Sequence, residues 1–312
     1  MDPNIAIETH ELGRTFDQTE AVCSLTLTVP RGEFFGLVGP DGGGKSTTIR
    51  LLCGILKPTS GSGYVLGRDL YRETESIKAR IGYLSQAFTL YGDLSVDENI
   101  EFFADMHGVS NYQQRRDELL AFTRLTPFRN RFAEALSGGM KKKLALACAL
   151  IHTPDLLLLD EPSTGVDPVS RGEFWNILSG ILAQGITVIM TTPYLDEAER
   201  CHRVGLMHKG TLIQTGTPDE IRKSLPGTMY AVNGEPLDSI YRALQSKWPP
   251  TALVRYGDRL RFHVTGGNPE LAQATDWLAQ KGFTGIRFEP VTPSLEDVFI
   301  ALMSDSTRGA PS

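Results

Sequence analysis

The sequence predicts an α/β fold with a buried parallel sheet, followed by a smaller α+β domain. Three continuous apolar runs have the character of buried strands: Phe34 to Val38, Leu156 to Leu159 and Ile186 to Met190. The first run leads into a glycine-rich turn, Gly39 to Thr47, and then into apolar residues at helical spacing. From about Ser224 the composition changes, which indicates a second domain.

Alternating apolar residues ahead of the glycine-rich turn predict an antiparallel edge sheet. Residues 5–7 and 25–29 alternate between apolar and polar side chains. Phe16 lies between these segments in a polar turn, where its ring has little core to join. Such a ring either stacks on a flat purine or plugs a hydrophobic gap, and the residues alone leave both interpretations open.

The glycine-rich turn has the spacing of a phosphate-binding loop. Four residues separate Gly39 from Gly44, and Lys45 and Ser46 follow directly. Glycines let consecutive backbone N–H groups face an anion, and the following helix presents its positive dipole end. Lys45 is able to reach the β and γ phosphates, and the Ser46 hydroxyl is able to ligate a bridging magnesium ion. A glycine-rich turn that binds nothing is disfavoured by the strand before it and the helix after it.

The middle of the chain predicts a helical insertion. A strand from Ile81 to Leu84 ends close to Gln86, and the pattern then becomes helical and charged from Val96 to about Leu125. We predict a small helical lobe over about residues 96–140, between the two halves of the α/β core. Its outward surface is either a docking site or a solvated face.

Two further motifs bring anion-binding and carboxylate chemistry to the same domain. Ser137, Gly138 and Gly139 precede a long helical stretch and form a second glycine-rich helix N-terminus. Asp160 and Glu161 follow the apolar Leu156 run, at the end of a parallel strand where ligands bind in such sheets. Asp160 is placed to hold hydrated magnesium, and Glu161 to orient or deprotonate a water molecule.

Length, charge and cysteine usage exclude several classes of protein. The chain has 312 residues, 41% of them hydrophobic, and a net charge of -6, so a large nucleic-acid surface is not expected. The lysines at 141–143 are predicted to form a solvated helix face or to contact an acidic partner. The four cysteines include no CxxC pair, which is typical of neither a zinc site nor a disulfide framework.

No segment has the pattern of a leader peptide or a membrane span. The N-terminal residues lack a basic region followed by an apolar core, and no apolar run approaches the roughly 18 residues that a span requires. We therefore expect a protein of the reducing cytosol that reaches a membrane only through a partner.

The C-terminal segment predicts a ferredoxin-like domain over residues 224–303. Its strand and helix patterns occur in the order β-α-β-β-α-β. The predicted strands are 229–232, 252–256, 260–264 and 285–288, and the predicted helices are 237–245 and 269–280. A further helix begins at Ser294, and residues 304–312 are expected to be disordered.

With these motifs in this order, residues 5 to about 223 resemble the nucleotide-binding domain of ATP-binding cassette (ABC) proteins. The motifs are GPDGGGKST, Gln86, LSGGM, LLLLDEP and STGVD. The resemblance implies a P-loop NTPase fold with an antiparallel β subdomain and a helical insertion, here over residues 1–223. The closing segment PSLEDVFIALM is similar to that of ATPase subunits in drug-resistance and type-2 exporters.

The resemblance implies a role for each matching position. Phe16 would stack on adenine, and Glu161 would be the catalytic glutamate, assisted by Gln86. Magnesium would be held by Ser46, Gln86 and Asp160. The residues expected to contact ATP are Phe16, Gly39, Pro40, Asp41, Gly42, Gly43, Gly44, Lys45, Ser46, Thr47, Ser137, Gly138 and Gly139.

The same resemblance implies an assembly. In the family the signature motif, here Ser137 to Met140, contacts the γ-phosphate held by the opposite domain, so two cassettes would close two ATP sites head to tail. A separate transmembrane permease would receive the motion through Gln86 and the helical insertion. The chain would then lie at the cytoplasmic face of the membrane.

Four positions depart from the common family pattern. Asp41 stands where many members have Asn, Gly43 where many have Ala, and Met140 where Gln is frequent. Pro193 occupies the position of the switch histidine and has neither a side-chain donor nor a backbone N–H. We therefore expect slow hydrolysis at this chain's own site and favour a heterodimer, in which its signature completes a competent site elsewhere.

Three functions remain open from the sequence. The favoured one is the ATP-binding subunit of an export transporter. A nucleotide-binding regulatory subunit with little hydrolysis is supported by Pro193. A soluble ABC ATPase acting on ribosomes or DNA is disfavoured by the single cassette, the acidic charge and the absence of a heptad insertion.

Overall fold

The computed structural model describes residues 2–87 and 90–308. Within them the chain divides into two compact units, with the boundary between Thr215 and Gly216. In this part of the chain no helix has the length and the apolar character needed to cross a membrane. The division lies before the predicted boundary at 223/224, because the helix that follows Gly216 packs against the last helix of the second unit.

The first unit contains two sheets. Its strands are β1 (Ile5–Phe16), β2 (Thr19–Pro30), β3 (Phe34–Val38), β4 (Ser60–Val65), β5 (Arg68–Asp69), β6 (Ile81–Leu84), β7 (Leu156–Asp160), β8 (Thr187–Thr192), β9 (Arg203–His208) and β10 (Thr211–Gly216). Strands β2-β1-β4-β5 form an antiparallel sheet, and β10-β9-β3-β8-β7-β6 form the central sheet. The pairs β9·β3, β3·β8, β8·β7 and β7·β6 are parallel, which confirms the predicted α/β class.

Helices cover this sheet and build the insertion. They are α1 (Lys45–Leu52), α2 (Thr74–Lys78), α3 (Val96–Met106), α4 (Gln113–Phe122), α5 (Gly138–Leu150), α6 (Pro168–Ala183) and α7 (Leu195–Ala198). Capping side chains explain where two of these helices begin. Ser95 and Glu98 form a reciprocal capping box at α3, and the Asp167 side chain caps α6, whose first residue is Pro168.

The central sheet is apolar on both faces. On one face α5, α6 and the insertion pack with Leu157, Leu159 and Val188 in one core. On the other face α1 and the antiparallel sheet pack with Leu158 and Ile189 in a second core. Burial on both sides explains why β3, β7 and β8 read as continuous apolar runs. It also fixes the carboxyl ends of these strands, where the polar motifs follow.

The second unit has the predicted β-α-β-β-α-β order. Its elements are α8 (Pro218–Lys223), β11 (Thr228–Asn233), α9 (Leu237–Gln245), β12 (Leu253–Tyr256), β13 (Arg259–Val264), α10 (Asn268–Gln280), β14 (Arg287–Val291) and α11 (Leu295–Arg308). The sheet order is β12-β13-β11-β14, with every neighbouring pair antiparallel. Helices α9 and α10 bury Ile240, Leu244, Ala274 and Leu278 in one core with Phe262.

The end of the chain differs from the sequence expectation. Helix α11 continues to Arg308, so residues 304–308 are helical where a disordered tail was predicted from 304. The remaining part of that predicted tail, residues 309–312, lies outside the described residues. The helix is anchored by Asp297, a buried carboxylate that accepts hydrogen bonds from Ser294 and pairs with Arg261.

Candidate nucleotide site

The turn between β3 and α1 requires glycine at particular positions. A Cβ on Gly39 would lie 1.9 Å from the Met207 carbonyl oxygen. Gly44 has φ +99°, and a Cβ there would lie 2.4 Å from the Ala21 carbonyl oxygen. At Gly43 a Cβ would lie 2.9 Å from the Pro40 carbonyl oxygen, closer than a Cβ normally approaches a backbone atom. The tight turn therefore depends on the glycines that the sequence pattern identified.

Lys45 is held beneath this turn. Its side chain is buried, and Nζ donates to the carbonyl oxygens of Gly39 at 2.9 Å and Pro40 at 3.0 Å. The same ammonium lies 3.4 Å from Oε1 of Glu161. Gly39 and Pro40 thus act through their carbonyl groups on Lys45 and do not themselves line the adjacent cavity.

Ser46 and Asp160 meet where α1 begins and β7 ends. The Ser46 hydroxyl donates to Oδ1 of Asp160 at 2.8 Å. Asp160 is fully buried, and its other oxygen, Oδ2, has no hydrogen-bond partner among the described residues. A buried carboxylate oxygen without a donor is costly unless a cation faces it. A hydroxyl oxygen beside such a carboxylate is a donor set that suits magnesium.

Glu161 has a constrained backbone and a well-bound carboxylate. Its φ is +47°, in the left-handed region that non-glycine residues seldom occupy. Gln86 donates from Nε2 to Oε2 of Glu161 at 2.9 Å, and Thr164 donates to the same oxygen at 3.3 Å. With Lys45 on Oε1, both oxygens have a partner. The structure therefore brings together Gln86 and Glu161, which lie far apart in sequence.

A cavity of about 470 Å³ lies over these side chains. It is lined by loop residues 41–47, by Gln86 and Glu161, and by residues 19–21 and Lys209. Asp41 is exposed and is one of the residues that line the cavity, so it adds a negative charge close to the space where phosphates would lie. Glu20 and Lys209 are additional charged residues at this cavity that the sequence motifs did not identify.

Phe16 does not line this cavity. The residue ends β1, its side chain is 39% exposed, and the Arg14 guanidinium lies 4.4 Å from the ring centroid. The ring is thus neither a plug in the core nor part of the phosphate cavity in this structure. Because the ring is partly exposed, it is accessible to a ligand, and the stacking on adenine stays a prediction.

The signature residues form a helix N-terminus away from the same cavity. The Ser137 hydroxyl accepts a hydrogen bond from the Met140 amide at 3.3 Å and so caps α5. Ser137 and Gly138 are exposed and do not line the cavity. Gly139 is buried, and a Cβ there would lie 2.6 Å from the Ser170 side chain at the start of α6. Glycine is therefore required for α5 to approach α6.

The prediction of a solvated lysine face is wrong for two of the three lysines after the signature. Lys142 and Lys143 are only 3% and 7% exposed. Lys142 donates to the Gln86 carbonyl oxygen at 3.0 Å, and Lys143 pairs with Glu173. Burial lowers the pKa of Lys142, and Asp160 and Glu161 act in the opposite direction. Both lysines lie on the side of α5 that faces the core, so their side chains are buried inside the protein.

Pro193 follows directly after β8, and the surrounding polar groups are engaged with one another. The Thr192 hydroxyl donates to Oε2 of the buried Glu197 at 2.6 Å and accepts from the Tyr194 amide at 3.0 Å. His202 hydrogen-bonds Phe34, at the opposite end of β3 from the phosphate loop. Its imidazole is therefore not placed to replace a histidine at position 193.

Threonine hydroxyls are the functional groups that sequence reasoning missed. Thr191 bridges Asp160 and Glu161, and Thr164 donates to the Glu161 carboxylate. One signal was available in the sequence. Thr191 and Thr192 end an apolar run that lies beside the Leu156 run, and a polar side chain at the carboxyl end of a buried strand is positioned for a site.

The central sheet, the phosphate loop and the acidic strand end define an α/β ATPase of the P-loop class. A family model described as ABC transporter matches residues 22–164. The Nod factor export ATP-binding protein I of Cupriavidus pinatubonensis is 35% identical over 306 residues, which cover 97% of this chain and 92% of that protein. The chain therefore belongs to the ATP-binding proteins of the ABC transporter family, which are nucleotide-binding ATPases.

Other comparisons agree with this membership. The probable multidrug ABC transporter ATP-binding protein YbhF of Escherichia coli is 43% identical over 218 residues, or 69% of this chain, but the match spans only 38% of that relative. A dimeric bacterial ABC transporter cassette has a TM-score of 0.63 and 26% identity, covering 68% of this chain and 98% of that structure.

Proposed function

We propose that this chain is the ATP-binding subunit of an export transporter and binds Mg-ATP at the turn between β3 and α1. The observation that carries the proposal is that one cavity is lined by Lys45, Ser46, Gln86 and Glu161. The buried Asp160 is joined to this set through the hydrogen bond that it accepts from Ser46. Export is supported by two relatives, a Nod factor export protein and a probable multidrug transporter protein.

Each of these side chains has a task that its chemistry allows. Lys45 would neutralise phosphate charge, and the Ser46 hydroxyl, Asp160 and Gln86 would hold magnesium. Magnesium, when bound, would supply positive charge that offsets the negative charge of the phosphates. Glu161 orients or deprotonates the attacking water, and its carboxylate is kept in place by Gln86 and Thr164.

We propose that the site is completed by a second cassette. Ser137 and Gly138 are exposed at the start of α5 and do not line the chain's own cavity. A capped helix N-terminus with exposed glycine suits a phosphate presented by another molecule. The dimeric form of a related bacterial cassette supports this arrangement.

The permease contact is assigned to the helical insertion together with Gln86. On α3 of this lobe Phe102 and Met106 are 38% and 58% exposed, and Tyr91, just before the lobe, is 45% exposed. The ring centroids of Tyr91 and Phe102 are 4.5 Å apart. Exposed apolar groups that adjoin one another indicate a contact surface. A permease bound there would hold the chain at the cytoplasmic face of a membrane.

Pro193 makes this chain's own site slow in the proposed scheme. A histidine at that position would offer an N–H donor to the γ-phosphate, and proline offers none. A heterodimer with a cassette that carries the histidine would restore one competent site, completed by this chain's signature. The second candidate, a regulatory subunit with little hydrolysis, rests on the same residue.

The ATPase rate of the purified chain tests this proposal. We expect slow turnover, raised roughly 100-fold or more by Pro193→His, because one positioned donor to transition-state charge changes turnover by about 100- to 1000-fold. Adding Glu161→Gln to the Pro193→His variant should abolish the gain and so assign the turnover to this site. Vigorous turnover of the unmodified chain, unchanged by Pro193→His, would contradict the proposal.

A further inference from the structure

Thr191 is a buried polar residue at the carboxyl end of β8, and its hydroxyl group is fully used. The residue pairs with Asp160 across strands β7 and β8 and has no exposed surface. Its Oγ1 donates to Oδ1 of Asp160 at 2.8 Å and accepts from the Glu161 amide at 3.0 Å. The Leu159 carbonyl oxygen, at 3.5 Å, is a much poorer alternative acceptor for the same proton.

The consequence for Asp160 is a fixed orientation. Two hydroxyl groups, those of Thr191 and Ser46, donate to the same oxygen, Oδ1, each at 2.8 Å. Oδ2 is buried and has no partner among the described residues. Ser46 belongs to the helix that carries the phosphate loop, whereas Thr191 belongs to the rigid sheet. Thr191 is therefore the donor that ties the carboxylate to the fold itself.

The consequence for Glu161 is a fixed backbone. This residue has φ +47°, a conformation that persists only where neighbouring groups hold it. Its amide is directed at Thr191, with the hydroxyl oxygen at 3.0 Å and the carbonyl oxygen at 3.2 Å. One threonine thus holds both the carboxylate proposed for magnesium and the backbone of the neighbouring glutamate.

We propose that Thr191 is a positioning residue for magnesium: its hydroxyl holds Asp160 by one oxygen and so presents the other to the hydrated ion. The inference rests on the proposed Mg-ATP site. It separates the two oxygens of Asp160 by role, with Oδ1 bound to hydroxyl donors and Oδ2 facing the cation. Loss of the hydroxyl should weaken the binding of Mg-ATP and leave metal-free ATP unaffected.

Four variants of the full chain test this role. Thr191→Val keeps the branched shape and removes the hydroxyl, and Thr191→Ser keeps the hydroxyl. Thr191→Cys offers only a weak donor. The matched control is Thr187→Val, at the other end of β8, where an equally buried threonine hydroxyl accepts from the Gly32 amide, remote from the cavity. The measurement is the affinity for ATP, by titration calorimetry, with excess Mg²⁺ and with EDTA.

We expect Thr191→Val to weaken Mg-ATP binding by about tenfold, the effect of losing one hydrogen bond to a charged group, with metal-free ATP binding changed by less than about twofold. Thr191→Ser and Thr187→Val should behave like the unmodified chain. If Thr191→Val fails to fold, Thr191→Cys provides the test and should weaken Mg-ATP binding selectively.

The inference is overturned if Thr191→Val keeps the full preference for Mg-ATP, or if it loses affinity equally with and without Mg²⁺. If the foldable variant is Thr191→Cys, the same two results from it overturn the inference. An unmodified chain that binds ATP no better with Mg²⁺ than without it would refute the proposed site itself, which is a different failure.

Discussion

At the scale of single residues, the chemistry of the site is a set of carboxylates, each with fixed donors. Ser46 and Thr191 share one oxygen of Asp160, while Lys45 and Gln86 take opposite oxygens of Glu161. These contacts hold the two negatively charged carboxylates in fixed positions at the site. Asp41 is the exception, because it lines the cavity and is exposed.

Asp41 should oppose the binding of a polyanion. A unit charge a few ångströms from phosphate repels it even in solvent-exposed surroundings, by about 1 kcal/mol or less. We expect Asp41→Asn to tighten Mg-ATP binding by about two- to fivefold, and the gain should shrink as salt is added. Titration calorimetry at low and high ionic strength measures both effects. Unchanged affinity at low salt would show that the carboxylate points away from the phosphates.

Site residues that lie close together in the sequence could be predicted from their spacing, whereas site residues that meet only through folding could not. The loop from Gly39 to Thr47 is recognisable because its glycines, lysine and serine are consecutive. Thr191 and Thr164 act on Asp160 and Glu161 through strand pairing and a turn, respectively. No spacing rule in the sequence sets which residue of β8 lies opposite which residue of β7.

At the scale of elements, helix α5 links the parts of the first unit. Its N-terminus carries the signature, and Lys142 in its first turns donates to the Gln86 carbonyl oxygen. The sequence predicted the helix but placed its lysines on a solvated face or against an acidic partner, because a run of charge normally marks an exposed face. Lys142 and Lys143 are instead buried, and their ammonium groups reach specific acceptors. A lysine is able to bury its apolar chain when its charged end finds such a partner.

Two histidines connect α5 with α3. His107 directly follows α3, and His152 follows α5. Their rings are stacked, with centroids 3.8 Å apart and an angle of 7° between the ring planes. Nε2 of His152 donates to the Ile81 carbonyl oxygen at 3.0 Å. Burial, with His107 as a second cause, lowers the pKa of His152 to about 4. The folded protein therefore requires a neutral ring at this position.

This pair predicts a loss of stability in mild acid. Between the unfolded pKa of about 6.5 and the folded pKa of about 4, the unfolded chain binds a proton that the folded chain does not. The free energy of unfolding should therefore fall as the pH decreases through that window. His152→Phe keeps a ring for stacking and removes the titration, so it should lose less stability than the unmodified chain between pH 6.5 and pH 4. Urea unfolding at both pH values measures the difference, and equal losses would contradict it.

At the scale of the whole molecule, the chain consists of two units with separate cores. The order of elements in the second unit was predictable from alternating strands and helical periodicity. The boundary between the units could not be predicted. Helix α8 has its own capping box, formed by Thr217 and Glu220, so its sequence identifies a helix without indicating which unit that helix joins, and the predicted boundary places it in the first domain. In the structure α8 packs against α11 and belongs to the second unit.

Scanning calorimetry of the full chain with and without Mg-ATP tests the central claim, that the turn around Lys45 holds a magnesium-bound triphosphate. Ligand that binds only the folded site stabilises it by about 2.7 kcal/mol at one hundred times its dissociation constant. We expect two transitions, with Mg-ATP raising the melting temperature of the one that belongs to the first unit and leaving the other unchanged. In Lys45→Ala the shift should largely disappear. No shift in the unmodified chain, or an equal shift in Lys45→Ala, would contradict the account.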